Sequence, residues 1–227
     1  MIPEDVHDSG NRIRSMNGEP IVDTFLTALT AAQSVIAAPQ VASRWEEASV
    51  LPQFSVRGLA GHLARAALTV DTYLDRPVPE GAVPISVAAY YAHLDRDLAS
   101  PAQEAIRQRG EETAAGGQGS LLTLLDDVGA RLASRLREEE GSRLLVVAGN
   151  AVMSLNQYLR TRIVELTVHS DDLALSAGLE TPALPPDALH ITIETLLKVA
   201  RARHGELAVV RALARRERDT LQALRVF

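Results

Sequence analysis

The sequence of 227 residues contains no cysteine, so it can form no disulfide and offers no thiol as a nucleophile or metal ligand. Aromatic residues make up only 4% of the chain, and Lys198 is its sole lysine. A catalytic or metal site in this chain must therefore be built from histidine and carboxylate side chains.

The chain also lacks an excess of positive charge and a long apolar run. Its formal net charge is -6, which argues against binding to a nucleic-acid backbone. The longest apolar stretch, residues 144–153, is shorter than the roughly 18 residues of a membrane span and is interrupted by Gly149 and Asn150. The N-terminus has no signal-peptide core. We therefore expect a cytoplasmic protein whose partners include neither nucleic acid nor a membrane.

Apolar residues recur at helical spacing along most of the chain. They predict helices over residues 21–37, 55–74, 120–139, 154–177, 186–203 and 206–215. A broken helical segment over 86–109 and a glycine-rich turn over 110–119 are expected between them. Ser55 and Gly178 fit helix-capping positions. Without a sustained alternating pattern the fold class is all-α, and the last five residues allow a short terminal strand.

The same pattern divides the chain into three segments. Residues 1–17 are polar and predict a flexible N-terminal arm. Residues 18–182 hold the main helical bundle, and residues 183–227 form a C-terminal helical extension packed on it. Apolar helix pairs of this kind suit a monomer and a homodimer equally well.

The most informative pattern is a polar stripe along the helix predicted over 154–177. At about 100° per residue, one narrow stripe collects Tyr158, Arg162, Glu165, His169, Asp172 and Ser176. Apolar residues flank this stripe on both sides, so it should point inward, where its charged groups need partners. The expected solvent face lies on the opposite side of the helix and carries Arg160, Thr167, Asp171 and Ala174.

A metal ion bound to Glu165 and His169 would supply the partner that these buried polar side chains need. Residues four apart on a helix have Cβ atoms about 5–6 Å apart, so both side chains can reach one ion. His62, at the edge of the apolar face of the helix over 55–74, is the best placed third ligand. The pattern leaves open a buried imidazole–carboxylate pair without an ion, bridged by Arg162. The other histidines have ordinary arm, surface or core positions: His7, His93, His190 and His204.

Three stretches of the chain resemble a known family: WEEASVLPQFSVRGLAGHLARA, RTRIVELTVHSDDLALSAGL and RARHGELAVVRALARRERDTLQALRVF. They are similar to the signature stretches of the mycothiol-dependent maleylpyruvate isomerase family, a branch of the DinB-like metal-binding four-helix bundles. The resemblance covers most of the chain. It implies an up-down-down-up bundle that holds one divalent metal ion, usually zinc, and uses mycothiol as a cosubstrate.

The resemblance also implies roles for individual residues. His62, Glu165 and His169 match the three metal ligands of the family. Asp172 matches an acidic residue kept beside the metal, where it would orient a metal-bound water or thiol.

Two departures from the family pattern affect the substrate side of the site. Asp171 stands where a tryptophan is common, and Arg215 and Arg216 stand where a Gly-Arg pair is common. Arg216 is a candidate receptor for an anionic substrate, and an ordinary surface arginine is the alternative. The resemblance therefore does not carry over the identity of the substrate.

Three protein ligands would leave one coordination position open, as in catalytic zinc sites. A thiol bound there would be deprotonated and nucleophilic, and mycothiol would supply the thiol that the chain lacks. The leading hypothesis is a mycothiol-using thiol transferase or isomerase acting on a small electrophile, with Asp172 positioning a proton or the thiol. Two alternatives stay open: a thiol-independent metal hydrolase with Asp172 as general base, and a non-enzymatic metal- or ligand-binding bundle.

Overall fold

Helices make up nearly all of the regular structure in the computed structural model, which describes residues 19–92, 97–214 and 224. They are α1 (Glu19–Ile36), α2 (Pro39–Ser43), α3 (Val56–Leu74), α4 (Val87–Ala92), α5 (Pro101–Thr113), α6 (Gly117–Glu138), α7 (Leu155–Ser176), α8 (Pro186–His204) and α9 (Glu206–Ala214). A short antiparallel hairpin of β1 (Leu144–Val146) and β2 (Val152–Ser154) precedes α7. The predicted all-α class is confirmed.

Four of these helices form the central bundle, in which α1 and α3 each pack against both α6 and α7. The neighbours α3 and α6 run in the same direction. Arg131 lies 2.8 Å from Asp71, and Arg135, one turn further along α6, pairs with Asp75, one turn further along α3. The two middle helices of the bundle are therefore parallel.

Two further neighbouring pairs of the bundle, α1 with α6 and α3 with α7, are antiparallel. Along α1 and α6, and along α3 and α7, residue numbers rise in opposite directions at successive contacts, which are Ile36–Gln118, Gln33–Asp126, His62–Glu165 and Thr69–Tyr158. Together with the parallel pair, these directions give the up-down-down-up order that the family resemblance implied.

The interior of the bundle is filled by apolar side chains at helical spacing. Phe25 of α1, Leu59 and Leu63 of α3, and Leu125 and Leu132 of α6 are buried almost completely. Burying a side chain of this size contributes about 1.5–3 kcal/mol each, before the entropy of ordering the chain is subtracted. This packing holds α3 and α7 at a fixed distance, which the site described below requires.

Local capping signals set the ends of the helices that carry the site. The Ser55 hydroxyl accepts a hydrogen bond from the Gly58 N–H at 2.8 Å, so α3 begins where the sequence predicted. The Ser154 hydroxyl plays the same role for α7. Gly178 follows α7 with a φ of +68°, a left-handed conformation that favours glycine.

The glycine-rich segment differs from its prediction as a turn over 110–119. Helix α5 continues to Thr113 and α6 already begins at Gly117, so only residues 114–116 form the turn. The reason is close packing of α5 on α3. A Cβ atom on Gly61 would lie 2.0 Å from the carbonyl oxygen of Gly110. These two glycines let the helix backbones touch, and this tertiary contact favours helix over turn at Gly110.

Helix α7 is buried on more sides than the sequence predicted. Of the face assigned to solvent, Thr167 and Ala174 are buried, and Arg160 and Asp171 are partly buried. The prediction was wrong because α8 packs against α7. Leu175 is one of the apolar residues that flank the polar stripe and were therefore expected to be buried, but it is exposed.

Some predictions fall outside the described residues. They concern the arm over 1–17, His93 and the last residue of the helix predicted over 206–215. The predicted terminal strand also lies outside them, apart from Leu224, which is in a turn. Within residues 19–92 and 97–214, every helix is too short or too polar to cross a membrane.

Candidate metal centre

His62, Glu165 and His169 converge between α3 and α7, and one potential ligand atom from each lies within 4.8 Å of the others. Oε2 of Glu165 is 3.2 Å from Nε2 of His169 and 3.7 Å from Nε2 of His62. The two imidazole rings meet edge to face, with centroids 4.8 Å apart. The structure therefore brings together the three residues that the sequence predicted as metal ligands.

Helix geometry accounts for this convergence. Glu165 and His169 share one face of α7 because they are four residues apart, and His62 faces them from the antiparallel α3. The side chains of His62, Glu165 and His169 are 22%, 16% and 18% exposed. The group is largely enclosed, yet each member keeps some access to solvent, as a ligand-exchanging site requires.

Asp172 orients His169 from the side of the ring away from Glu165. Its Oδ2 lies 2.9 Å from Nδ1 of His169, one helical turn along α7. This contact keeps a proton on Nδ1, so that Nε2, which shares its own proton with Glu165 in the metal-free protein, is the nitrogen that a metal ion would bind. A carboxylate on the second nitrogen is the usual companion of a metal-ligating histidine.

The second oxygen of Glu165 has different partners. The Tyr91 hydroxyl lies 3.2 Å from Oε1 of Glu165 and also 3.2 Å from the carbonyl oxygen of Thr161. The Arg162 guanidinium lies 3.9 Å from the same Oε1 atom. One oxygen of this carboxylate therefore faces the two imidazoles, and the other faces the Tyr91 hydroxyl and the Arg162 guanidinium.

Arg162 itself is held by neighbours on its own helix. Its Nε donates a hydrogen bond to the Thr161 hydroxyl at 3.0 Å, and its guanidinium lies 4.8 Å from the centroid of the Tyr158 ring. The Tyr158 hydroxyl donates to Thr69 of α3 at 2.7 Å. The inward direction predicted for Tyr158 and Arg162 from the stripe is confirmed.

The electrostatics distinguish the two histidines. Burial lowers the pKa of His62, so this imidazole is neutral near pH 7. Burial acts in the same direction on His169, but hydrogen bonds with Asp172 and Glu165 outweigh it and raise the pKa of His169 to about 9. Although burial alone would raise the pKa of Glu165, its contacts with His169, His62 and Arg162 hold that pKa well below its ordinary value.

These residues fit a divalent metal ion by the chemistry of their donor atoms. Two imidazole nitrogens and one carboxylate oxygen form the type of three-ligand set found in catalytic zinc sites. The partner of His169 Nδ1 is already in place, and the ionised Glu165 supplies negative charge. The same donor set also suits other first-row divalent ions, so it does not select zinc alone.

A comparison with known protein families shows which family this chain belongs to. The family described as the mycothiol maleylpyruvate isomerase N-terminal domain matches residues 25–174, more than half of the 227 residues. The chain belongs to this family. No curated protein and no solved structure matches the chain. Membership of the mycothiol maleylpyruvate isomerase N-terminal domain family implies a mycothiol-related, metal-dependent function.

The family match covers the whole candidate site, because His62, Glu165, His169 and Asp172 all lie within residues 25–174. Four residues named from the sequence lie outside the described part of the chain: His7, His93, Arg215 and Arg216. His190 is exposed on α8 and pairs with Glu194 at 3.2 Å, which is an ordinary surface position.

Sequence reasoning missed two aromatic residues at the site. The Phe54 ring lies 5.6 Å from the His62 ring, and Tyr91 of α4 contacts Glu165. In a chain with 4% aromatic residues, the adjacent pair Tyr90 and Tyr91 is a conspicuous signal. Nothing in its spacing relates it to Glu165, because the contact depends on how α4 packs against α7.

Proposed function

We propose that this protein is a metal-dependent enzyme that uses mycothiol to act on a small electrophilic substrate, as a thiol transferase or an isomerase. The convergence of His62, Glu165 and His169 in a member of the mycothiol maleylpyruvate isomerase N-terminal domain family carries this proposal. His62 Nε2, His169 Nε2 and a Glu165 oxygen would hold the ion, for which zinc is our first choice. A divalent ion in such a site supplies a Lewis acid that favours the deprotonated form of a thiol.

The thiol must come from a cosubstrate because the chain contains no cysteine. In a transfer reaction, the sulfur loses its proton and forms a bond to an electrophilic carbon of the substrate. That carbon either releases a leaving group with its bonding electron pair or, in an addition to a double bond, passes the π electron pair to the neighbouring atom, which takes up the proton. In an isomerisation, the same carbon–sulfur bond forms and later breaks, so the thiol is returned unchanged. The partly exposed faces of His62 and His169 are where the two reactants would meet.

The protein's own residues prepare the site in three ways. Asp172 holds the ring of His169 and its tautomer through Nδ1. The low pKa of Glu165 keeps its carboxylate ionised at neutral pH. The Phe54 ring packs beside the His62 ring, with their centroids 5.6 Å apart, and would help to hold that imidazole in place. Arg216 is our proposed receptor for an anionic group of the substrate.

The contact between Asp172 and His169 bears on the hydrolase alternative. A hydrolase would require Asp172 to accept a proton from water, whereas Oδ2 of Asp172 is 2.9 Å from the His169 ring. In this position Asp172 suits the orientation of a ligand better than general-base catalysis. By the same contact Asp172 would act on a bound thiol only through His169, so the preference for the thiol-dependent reaction rests on the family of the chain.

The first test is the metal content of protein purified without added metal. Wild type is compared with His62→Ala and His169→Ala, and with His190→Ala as a matched control at an exposed histidine. The proposal expects about one ion per chain in wild type and control, and its loss in both ligand variants. Equal metal content in all four proteins would overturn the ligand assignment.

The second test is turnover of a panel of small electrophiles by metal-loaded protein with and without mycothiol. Consumption that requires both the metal and mycothiol supports the proposal. Turnover of esters or amides without any thiol would favour the hydrolase. Metal binding with no turnover, together with a coordinatively closed site by X-ray absorption, would favour the binding bundle.

A further inference from the structure

Glu165 uses its two carboxylate oxygens in different ways. Oε2 faces the imidazoles, at 3.2 Å from His169 and 3.7 Å from His62. Oε1 faces the Tyr91 hydroxyl at 3.2 Å and the Arg162 guanidinium at 3.9 Å. Only one of the two oxygens is therefore directed at the place where an ion would bind.

Tyr91 is well suited to fix this arrangement. Its side chain is fully buried, and its backbone carbonyl accepts a hydrogen bond from Arg203 of α8, which ties α4 to the C-terminal helices. A tyrosine hydroxyl is protonated at neutral pH and can donate a hydrogen bond to a carboxylate oxygen. The single hydroxyl proton is shared between Oε1 of Glu165 and the carbonyl oxygen of Thr161, one turn before Glu165 on α7.

Arg162 contributes charge rather than a direct hydrogen bond, because 3.9 Å is too long for one. Its side chain is 11% exposed and is fixed by contacts that do not involve Glu165, namely the Thr161 hydroxyl and the Tyr158 ring. A guanidinium stays charged at every accessible pH. The cation therefore attracts Oε1 of Glu165 whether or not an ion is bound.

We propose that Tyr91 and Arg162 are positioning residues that retain Oε1 of Glu165, so that this carboxylate offers a metal ion Oε2 alone. The inference rests on the metal centre of the proposed function. A carboxylate free to rotate can take two coordination positions through both oxygens. Holding one oxygen back keeps a position open for an exogenous ligand, which a thiol-using enzyme needs.

The test uses Tyr91→Phe, Arg162→Gln and the double variant, with Tyr73→Phe as the matched control. Tyr73 is also a buried tyrosine, but its ring packs on Tyr158 at 5.5 Å rather than on Glu165. Zinc affinity is measured by competition with a chelator. Coordination is followed by the visible absorption of the cobalt-loaded protein, which weakens as the coordination number rises.

For Tyr91→Phe we expect zinc affinity to fall by about tenfold, the size of effect typical for partners of a metal ligand. In the double variant, the cobalt bands should weaken because both oxygens of Glu165 can then reach the ion. The same variant should bind an added small thiol less readily, seen as loss of the sulfur-to-cobalt charge-transfer band. Tyr73→Phe should match wild type in all three measurements.

Unchanged zinc affinity and unchanged cobalt spectra in Tyr91→Phe and in the double variant would overturn this inference while leaving the metal centre intact. A wild type that takes up neither ion would overturn the proposed function and this inference together. If Arg162→Gln fails to fold, as judged by circular dichroism, Tyr91→Phe decides the question alone, because it removes a single oxygen atom.

Discussion

Nδ1 of His169 lies 2.9 Å from Oδ2 of Asp172, while Nε2 of the same ring faces Glu165. Asp172→Asn should therefore weaken zinc binding by about 10- to 100-fold, because an amide neither fixes the tautomer nor increases the basicity of the ring as a carboxylate does. Chelator competition measures the affinity. The neighbouring Asp171→Asn is the control, since Asp171 contacts Thr181 instead. Equal losses in the two variants would mean a general structural effect.

Metal uptake should release a proton from His169. The pKa of about 9 means that this imidazole is in its cationic form, with a proton on both nitrogens, in the metal-free protein at pH 7.5. An imidazole that binds a metal ion must be neutral. Burial lowers the pKa of His62, which therefore has no proton to lose. Calorimetric titration with zinc in buffers of different ionisation enthalpy should give about one proton per ion. A value near zero would show that His169 is already neutral before the ion binds.

The stability of the metal-free protein should depend on the same titration. The pKa of His169 is raised above its unfolded value of 6.5, so its contribution is complete below pH 6.5 and is lost as pH rises through about 9. The free energy of unfolding, from urea titration, should fall by up to about 3 kcal/mol between pH 6 and pH 10. His169→Gln should flatten this dependence. A curve of the same shape in that variant would assign the dependence to other groups.

Gly61→Ala should destabilise the protein and disturb the site. Its new Cβ atom would lie 2.0 Å from the carbonyl oxygen of Gly110, so α3 and α5 must move apart next to His62. We expect a loss of about 1–3 kcal/mol in the free energy of unfolding, together with weaker zinc binding. Gly119→Ala is the matched control, because a Cβ atom there meets nothing within 4 Å. Equal stability of the two variants would contradict the close contact of the helices.

Arg216→Ala tests the substrate side, which the sequence assigns but which lies outside the described residues. If Arg216 receives an anionic group, KM for an anionic electrophile should rise by about tenfold, the loss of one charge-assisted hydrogen bond, while kcat changes little. Arg215→Ala controls for the general loss of positive charge. Unchanged kinetics in Arg216→Ala would remove this role.

The sequence predicted the ends of most helices because the deciding signals are local. Ser55 caps α3 and Gly178 follows α7 as expected, since each acts on backbone groups within a few residues. The polar stripe that contains Glu165 and His169 could also be predicted from the sequence, because 3.6-residue periodicity alone determines which residues share a face of a helix. These features are confirmed.

The remaining features depend on contacts between distant parts of the chain. Thr167 is buried on a helix that packs against α8 as well as against α1 and α3, and the sequence of α7 does not indicate that additional neighbour. Gly110 lies in a helix rather than a turn because it meets Gly61. Tyr91 contacts Glu165 across 74 positions of sequence. Periodicity indicates that a polar group points inward, but not which partner it meets.

The origin of the three ligands in two separate helices has a thermodynamic consequence. His62 belongs to α3, whereas Glu165 and His169 belong to α7, and on the order of 100 residues lie between them. An ion held by all three would close that long loop in a chain that has no cysteine to form a cross-link. It would act as a reversible cross-link between the two helices, so that a chelator should lower the melting temperature of the metal-loaded protein.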